Sequence, residues 1–231
     1  ELENVNDSLK KENDEVIAKN QNMIESIQFA KRIQNLTLPK IDLLLRNFTE
    51  AFILYKPKDI VGGDFYWFHK CTTHEKFMIA IGDCTGHGVS GALLSMIGYN
   101  LLNEIVHDHE NELTPTEVLS ELDTHICELL KQDANSGYHD GIDMSFVSVD
   151  HNTKKLYFCG CRRPLLYLVR PDKRIVVYKG EPYLVGGVNE RVVKEFKTQE
   201  ISYRDGDIIY MLTDGYTDQF GGERNRKLMK D

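Results

Sequence analysis

The stretch FMIAIGDCTGHGVSGALLSM, residues 77–96, contains three successive patterns that together decide the fold. Residues 77–81 form a short apolar run typical of a buried strand, and Asp83 follows this run almost directly. The glycine-rich turn TGHG comes next, and the residues after it have the apolar spacing of a helix. A strand that carries a carboxylate into a flexible turn and then a helix predicts an α+β domain with Asp83 at a strand end.

Short β-forming segments flank this unit on both sides along the chain. The candidate strands cover residues 51–55, 64–69, 76–82, 144–150, 155–159, 165–169, 174–178, 192–201 and 207–212. Residues 88–107 and 115–131 have the helical period, and Thr114 is the expected N-cap of the second helix. Strands, two helices and then strands again predict a sandwich of sheets covered by helices.

The N-terminal segment, residues 1–38, is predicted to be one long helix and a linker separate from the domain at 39–231. It contains no Gly and no Pro, and Pro39 supplies the stop signal. Apolar residues keep a heptad phase at Leu2, Val5, Leu9, Val16, Met23, Ala30 and Ile33, and Glu12, Lys19 and Ser26 interrupt it. Because such a helix cannot bury its apolar stripe alone, the pattern indicates either a parallel homodimer or docking on the following domain.

Composition excludes several classes of function. The formal charge of -8 over 231 residues argues against nucleic-acid binding, which depends on clustered Lys and Arg. No run approaches the roughly 18 to 20 apolar residues of a membrane span, and no signal peptide is recognisable, so a cytoplasmic location is expected. Five cysteines without paired spacing indicate reduced thiols. Cys159 and Cys161 are interpreted as small residues at a strand end, with a metal or redox pair as the alternative.

Three aspartates, Asp64, Asp83 and Asp214, each lie beside Gly in an apolar strand context. Glycine lets the backbone bend and lets a ligand approach closely. Carboxylates at strand ends are the oxygen ligands that Mg²⁺ and Mn²⁺ prefer. Two such ions, roughly 3.5–4 Å apart, activate water for phosphoryl transfer. Any one Gly-Asp pair is commonly only a turn, so the prediction depends on the three together.

Three blocks in this order resemble the signature blocks of SpoIIE-type phosphatases, a branch of the PPM or protein phosphatase 2C-like family. They are GGDFYWF at 62–68, GDCTGHGVSGALLSM at 82–96 and LTDGYTDQFGG at 212–222. The segment at 139–170 is similar to the family's central strands, so the resemblance covers about 38–222. It implies an α+β fold, the αββα sandwich of phosphatase 2C-like proteins, preceded here by a long helix.

The resemblance also implies a catalytic centre of two Mn²⁺ or Mg²⁺ ions. Asp64 would bind one ion, Asp83 would bridge both, the carbonyl of Cys84 would complete a ligand set, and Asp214 would bind the second side. Cys84 departs from the family, which often has Gly there, and requires a backbone conformation open to non-glycine residues. The family's last metal aspartate lies well downstream of 212–222, so the domain is expected to be incomplete at its C-terminus, before the final metal-binding strand.

Four further residues have two interpretations each. His87 is a candidate general acid or a structural hydrogen-bonding group, in a turn whose following helix N-terminus also favours anions. Asp143 is a further acidic group near the metals or a turn cap. Arg162 and Arg163 are phosphate-binding groups or solvated surface residues. Apart from these, no substrate-binding residue is identified.

The resulting hypothesis is metal-dependent hydrolysis of phosphoserine or phosphothreonine on a partner regulatory protein in bacterial-type signalling. The resemblance implies a substrate that is often a small anti-sigma-factor antagonist, and an upstream sensor that acts through the N-terminal helix. The alternative is a non-catalytic signalling or dimerisation module with the same fold. A metal-dependent nuclease is a third reading, which the acidic charge disfavours.

Overall fold

Eight short strands form two antiparallel sheets, and two more form a separate two-stranded ribbon, in the computed structural model, which describes residues 2–71, 75–109, 113–132, 139–162, 165–187, 193–221 and 226–227. The described strands are β1 (Asp64–Lys70), β2 (Lys76–Cys84), β3 (Ile142–Asp150), β4 (Lys155–Cys161), β5 (Leu165–Val169), β6 (Ile175–Tyr178), β7 (Gln199–Ser202), β8 (Ile208–Leu212), β9 (Phe220–Gly221) and β10 (Arg226–Lys227). The described helices are α1 (Leu2–Thr37), α2 (Asp42–Leu45), α3 (Val89–Asp108), α4 (Pro115–Leu129) and α5 (Asp214–Thr217).

The larger sheet has the order β1-β2-β3-β4-β7, and the smaller one has the order β6-β5-β8. Both faces of the larger sheet are covered, as β2 shows. Phe77 and Ile79 point into the core between the two sheets, and Met78 and Ala80 point into the core beneath the helices. This alternation is the period of two that a strand imposes on its side chains. The layers therefore follow the α+β sandwich that the sequence predicted.

Helices α3 and α4 cover the outer face of the larger sheet. The core beneath them contains Trp67, Leu102, Ile105, Leu122 and Phe146, each almost fully buried. Thr114 caps α4 as predicted, in a capping box with Glu117. By length and composition alone, α3 is the one described helix that could cross a membrane. Its buried residues pack in this core, which gives α3 the role of a core helix.

Helix α1 is confirmed as one long helix, and its stripe of apolar residues lies uncovered. Residues 4–26 are all exposed, including Val5, Leu9 and Val16, whose exposures are 56%, 59% and 49%. Only the last turns of α1 approach the domain, where the helix packs against α3. The coiled-coil interpretation therefore stays a prediction.

The predicted strand at 51–55 is wrong in its backbone pairing. Ala51 and Ile53 pack on the core between the sheets, whereas Phe52 and Leu54 are each 70% exposed. The side chains therefore alternate as in a strand, but within the described residues this segment joins no sheet. An alternating pattern reports side-chain burial and contains no information about a hydrogen-bonding neighbour.

The predicted strand at 192–201 is mostly irregular. Residue 192 lies outside the described residues, and only Gln199–Ser202 forms a strand. The Tyr183 hydroxyl donates to the Glu195 carbonyl and accepts from the Glu195 amide. A side chain thus takes both backbone groups of Glu195 that a neighbouring strand would otherwise bond.

The first turn of α3 lies directly against the loop that leads into β1. A Cβ atom on Gly91 would lie 2.8 Å from the Gly86 carbonyl oxygen and 3.0 Å from the Cα atom of Gly63. Real Cβ atoms are seldom found at such distances from the backbone, so only glycine permits this approach. The contact places the start of α3 beside the residue that precedes Asp64.

Gly91→Ala is expected to lower the free energy of unfolding by about 1–3 kcal/mol, because the methyl group overpacks the contact. In a helix without this contact the same change would stabilise the protein by about 1 kcal/mol. The sign of the change in the free energy of unfolding therefore shows whether the contact exists. Chemical denaturation measures it, with the exposed neighbour variant Ser90→Ala as the control. Equal or higher stability of Gly91→Ala would contradict the close contact.

Candidate functional site

Three aspartates form a row across adjacent strands of the larger sheet. Asp64 in β1 is paired in register with Asp83 in β2, and Asp83 is paired with Asp143 in β3. Residues directly opposite each other in antiparallel strands point to the same face. The strand register therefore places these carboxyl groups side by side.

Asp214 joins this row from the smaller sheet, because it begins α5 immediately after β8. The Asp83 carboxyl group hydrogen-bonds to those of both Asp64 and Asp214. Thr213, beside Asp214, donates from Oγ1 to Oδ2 of Asp64 at 3.1 Å. The structure thus brings together the three aspartates that the sequence singled out, with Asp83 between the other two. Their role as metal ligands stays a prediction.

Burial disfavours the charged forms of Asp83 and Asp64. Burial is the main cause that raises the pKa of Asp83 to about 9, and the charges of Asp64 and Asp214 raise it further. Burial also raises the pKa of Asp64, although its hydrogen bonds to Asp83 and Thr213 oppose this change. At neutral pH, Asp83 is consequently protonated and donates to its neighbours.

The donor chemistry at this cluster fits a hard divalent cation. Carboxylate oxygens that repel each other when ionised are stabilised by a positive ion between them. Among the described residues, no three His, Cys, Asp or Glu side chains are spaced as a ready-formed cage. The Asp83 carboxyl group contacts those of Asp64 and Asp214 instead, and a proton on Asp83 takes the place of the cation's charge.

Cys84 ends β2 and can offer its carbonyl group. The carbonyl oxygen lies 3.2 Å from the position of a Cβ on Gly63, and the Cys84 amide donates to the Gly63 carbonyl at 3.4 Å. Cys84 is not among the residues with positive φ, so its backbone suits a non-glycine residue. Burial, with the nearby Asp83 and Asp64, holds the pKa of its thiol well above the usual value. The thiol therefore stays protonated and is a poor metal ligand.

His87 follows the strand that carries Asp83, and Arg162 lies beside Asp143. The exposed His87 ring places Nδ1 3.3 Å from Oδ2 of Asp59, which favours the structural interpretation of this histidine. Arg162 has φ of 54°, and its Nη1 lies 3.9 Å from Oδ1 of Asp143, at the end of the aspartate row. Arg163 lies outside the described residues.

Two supports of Asp64 were missed by the sequence analysis. Thr213 holds its carboxylate, and the Tyr55 hydroxyl donates to its carbonyl oxygen at 3.1 Å. Burial is the main cause that raises the pKa of Tyr55 to about 12, so this hydroxyl remains a neutral donor. The adjacency of Thr213 to Asp214 was a signal that could have been used. Nothing in the local pattern around Tyr55 indicated its contact.

Asp83→Asn is expected to stabilise the metal-free protein at pH 8 by about 1–3 kcal/mol, because the neutral amide does not have to take up a proton when the chain folds. The pKa of Asp83 is about 9 in the fold against an ordinary 3.8. The folded protein therefore keeps a proton that the unfolded chain loses, and stability falls as pH rises through this window. Thermal melts with a chelator are recorded from pH 5 to 9. The melting temperature should fall less steeply with pH for the variant than for the wild type. An equal dependence of the melting temperature on pH in both proteins would contradict the raised pKa of Asp83.

Comparison with known proteins assigns the chain to a family. The family described as Stage II sporulation protein E (SpoIIE) matches residues 73–230. Phosphoserine phosphatase RsbP of Bacillus subtilis (strain 168) is 23% identical over 211 residues, which are 91% of this chain and 49% of RsbP. The chain thus spans about half the length of this curated relative.

Solved structures agree with the family match. The SiaA-PP2C domain of Pseudomonas aeruginosa has a TM-score of 0.78 and 28% identity, over 92% of this chain and 80% of that one. RsbX, solved in complex with magnesium, has a TM-score of 0.51 and 16% identity, over 71% of each chain, which is a likeness of fold. The strand-borne aspartates, the phosphatase 2C-like fold and the match over residues 73–230 place this chain in the SpoIIE family of PP2C-like phosphatase domains.

Proposed function

We propose that this chain is a metal-dependent phosphatase domain that hydrolyses phosphoserine or phosphothreonine on a partner protein. The observation that carries the proposal is the contact of Asp83 with both Asp64 and Asp214, at a point that strands of both sheets reach. The name of the relative RsbP, a phosphoserine phosphatase, supports the reaction class. The likeness to RsbX, which was solved with magnesium, supports the use of a divalent ion.

The proposed centre holds two Mn²⁺ or Mg²⁺ ions through Asp64, Asp83, the Cys84 carbonyl and Asp214. Such ions, when bound, lower the pKa of water and stabilise the charge that develops on a transferring phosphoryl group. Asp83 would hold an ion together with either neighbour, because it lies between the other two carboxyl groups. Thr213 and Tyr55 orient Asp64. The protonated Cys84 thiol is a poor nucleophile, which favours direct attack by water.

The proposed substrate is a phosphorylated regulatory protein, as the family resemblance implies, with an anti-sigma-factor antagonist as the expected type. Arg162 is the described cationic group at the end of the aspartate row, where it would meet an incoming phosphate. We also propose that the domain works in the cytoplasm and receives its signal from an upstream sensor through α1.

The second candidate function is a non-catalytic signalling or dimerisation module. The exposed apolar stripe of α1 favours it, because that stripe suits a protein partner whether or not the domain turns over substrate. A measurement of metal-dependent phosphate release distinguishes the two functions.

Mn²⁺ is expected to elicit phosphate release from a phosphoserine peptide, and Asp83→Asn is expected to reduce the rate by at least about 100-fold. Asp172→Asn, at an exposed aspartate distant in sequence from the site, serves as the matched control and should keep the wild-type rate. A C-terminally extended chain is assayed in parallel, because the family resemblance implies a further metal aspartate well downstream of residues 212–222. An extended chain that is inert with Mn²⁺ would eliminate the enzyme in favour of the module.

A disulfide-locked α1 dimer is expected to change turnover about fivefold or more, the usual size of coupling between two sites. Leu9→Cys introduces the bridge, because Leu9 lies exposed on the apolar stripe. The native cysteines are buried or partly buried and should not compete. Asp7→Cys, off the stripe, is the control and should form little disulfide dimer. Equal turnover of the locked and reduced Leu9→Cys protein would refute control through α1.

A further inference from the structure

Gln34, near the C-terminal end of α1, is a buried polar residue on a helix that is otherwise largely exposed. Only 3% of its surface is accessible. Its Nε2 donates to the Gly62 carbonyl at 2.7 Å and to Oγ of Ser95 at 3.0 Å. Its Oε1 accepts from the Gly62 amide at 3.2 Å. The side-chain amide therefore bonds both backbone groups of Gly62, as a neighbouring strand would.

Gly62 lies two residues before Asp64, at the entry to β1. Gly63, between them, makes the close backbone contact with Gly91 of α3. Ser95 follows Gly91 by about one turn of α3, and its hydroxyl donates to the Ala92 carbonyl. The Gln34 side chain thus joins three pieces of the molecule: the end of α1, the entry to β1, and α3.

Packing of α1 on the domain does not by itself require an amide side chain at position 34. The neighbouring Leu38 already packs on the core beneath the helices, and an apolar residue at 34 would add to that contact. A buried amide costs free energy unless all its hydrogen bonds are made. Gln34 makes bonds with both ends of its amide, and losing them would leave the buried amide and carbonyl of Gly62 without these partners.

The same geometry makes the contact sensitive to the orientation of α1. Successive residues of a helix are about 100° apart around its axis. A rotation of α1 by one residue position would therefore turn Gln34 away from Gly62. Because residues 4–26 are all exposed, the contacts that resist this rotation lie in the last turns of the helix.

We propose that Gln34 is a positioning residue for the metal centre, which couples the orientation of α1 to the placement of Asp64. By holding both backbone groups of Gly62, it fixes the entry to β1 so that the Asp64 carboxyl meets Asp83 and Thr213. This role rests on the proposed function, in which Asp64 binds a metal ion. Gln34 itself touches neither ion nor substrate.

The test compares Gln34→Leu, which keeps a bulky side chain and removes its amide, with Leu38→Ala, which weakens docking and leaves the amide in place. Mn²⁺ affinity is measured by calorimetry, exchange of the Gly62 amide proton by NMR without metal, and stability by thermal melting. Gln34→Leu should weaken Mn²⁺ binding about 10-fold, as the loss of a residue that orients a metal ligand does. It should also accelerate Gly62 exchange. Leu38→Ala should lower the melting temperature and leave both other quantities near wild type.

Each outcome decides between this inference and the proposed function. Wild-type affinity and wild-type Gly62 exchange in Gln34→Leu would overturn the positioning role. A wild-type chain that binds no Mn²⁺ with or without the C-terminal extension would instead contradict the proposed function, while Gly62 exchange still tests the contact. Should Gln34→Leu fail to fold, Ser95→Ala removes a single partner of the amide. That variant should shift Mn²⁺ affinity and Gly62 exchange in the same direction, and no shift in either would overturn the proposal.

Discussion

The register between β1 and β2 holds two carboxyl groups opposite each other, and the rest of the site is arranged around this constraint. Asp64 and Asp83 are paired residues on one face of the sheet, so their separation requires a change in the sheet itself. A slip of one residue would send either side chain to the other face, into a core. The cores on both sides of β2 therefore enforce a contact between like groups that would otherwise repel.

The second sheet and the helices are tied to that contact at different points. Asp214 comes from the end of β8, so the cluster forms only when the two sheets are packed together. On the helical side, Gly91 brings α3 against Gly63, next to Asp64. Asp64 begins β1 and accepts a hydrogen bond from Thr213, beside Asp214. The residue before it, Gly63, lies against α3. A small displacement of either sheet or of α3 would therefore shift the position of the Asp64 carboxyl group.

The sequence predicted those parts of the molecule that depend on local pattern. The apolar run before Asp83, the helical spacing after it and the cap at Thr114 are all short-range signals, and they led to the right elements. The strand expected at 192–201 failed because Tyr183, well upstream, bonds the backbone of Glu195. Gln34 was overlooked for the same kind of reason. It lies 28 residues before its partner Gly62, within a helix whose polar residues otherwise face solvent.

The raised pKa of Asp83 has a consequence for how the proposed centre would fill. At neutral pH this carboxyl carries a proton, and an incoming cation has to displace it, so loading and deprotonation are one event. Each proton released makes the apparent affinity about tenfold weaker per unit of acidification. Occupancy of the proposed centre would then depend on pH as well as on the concentration of the ion.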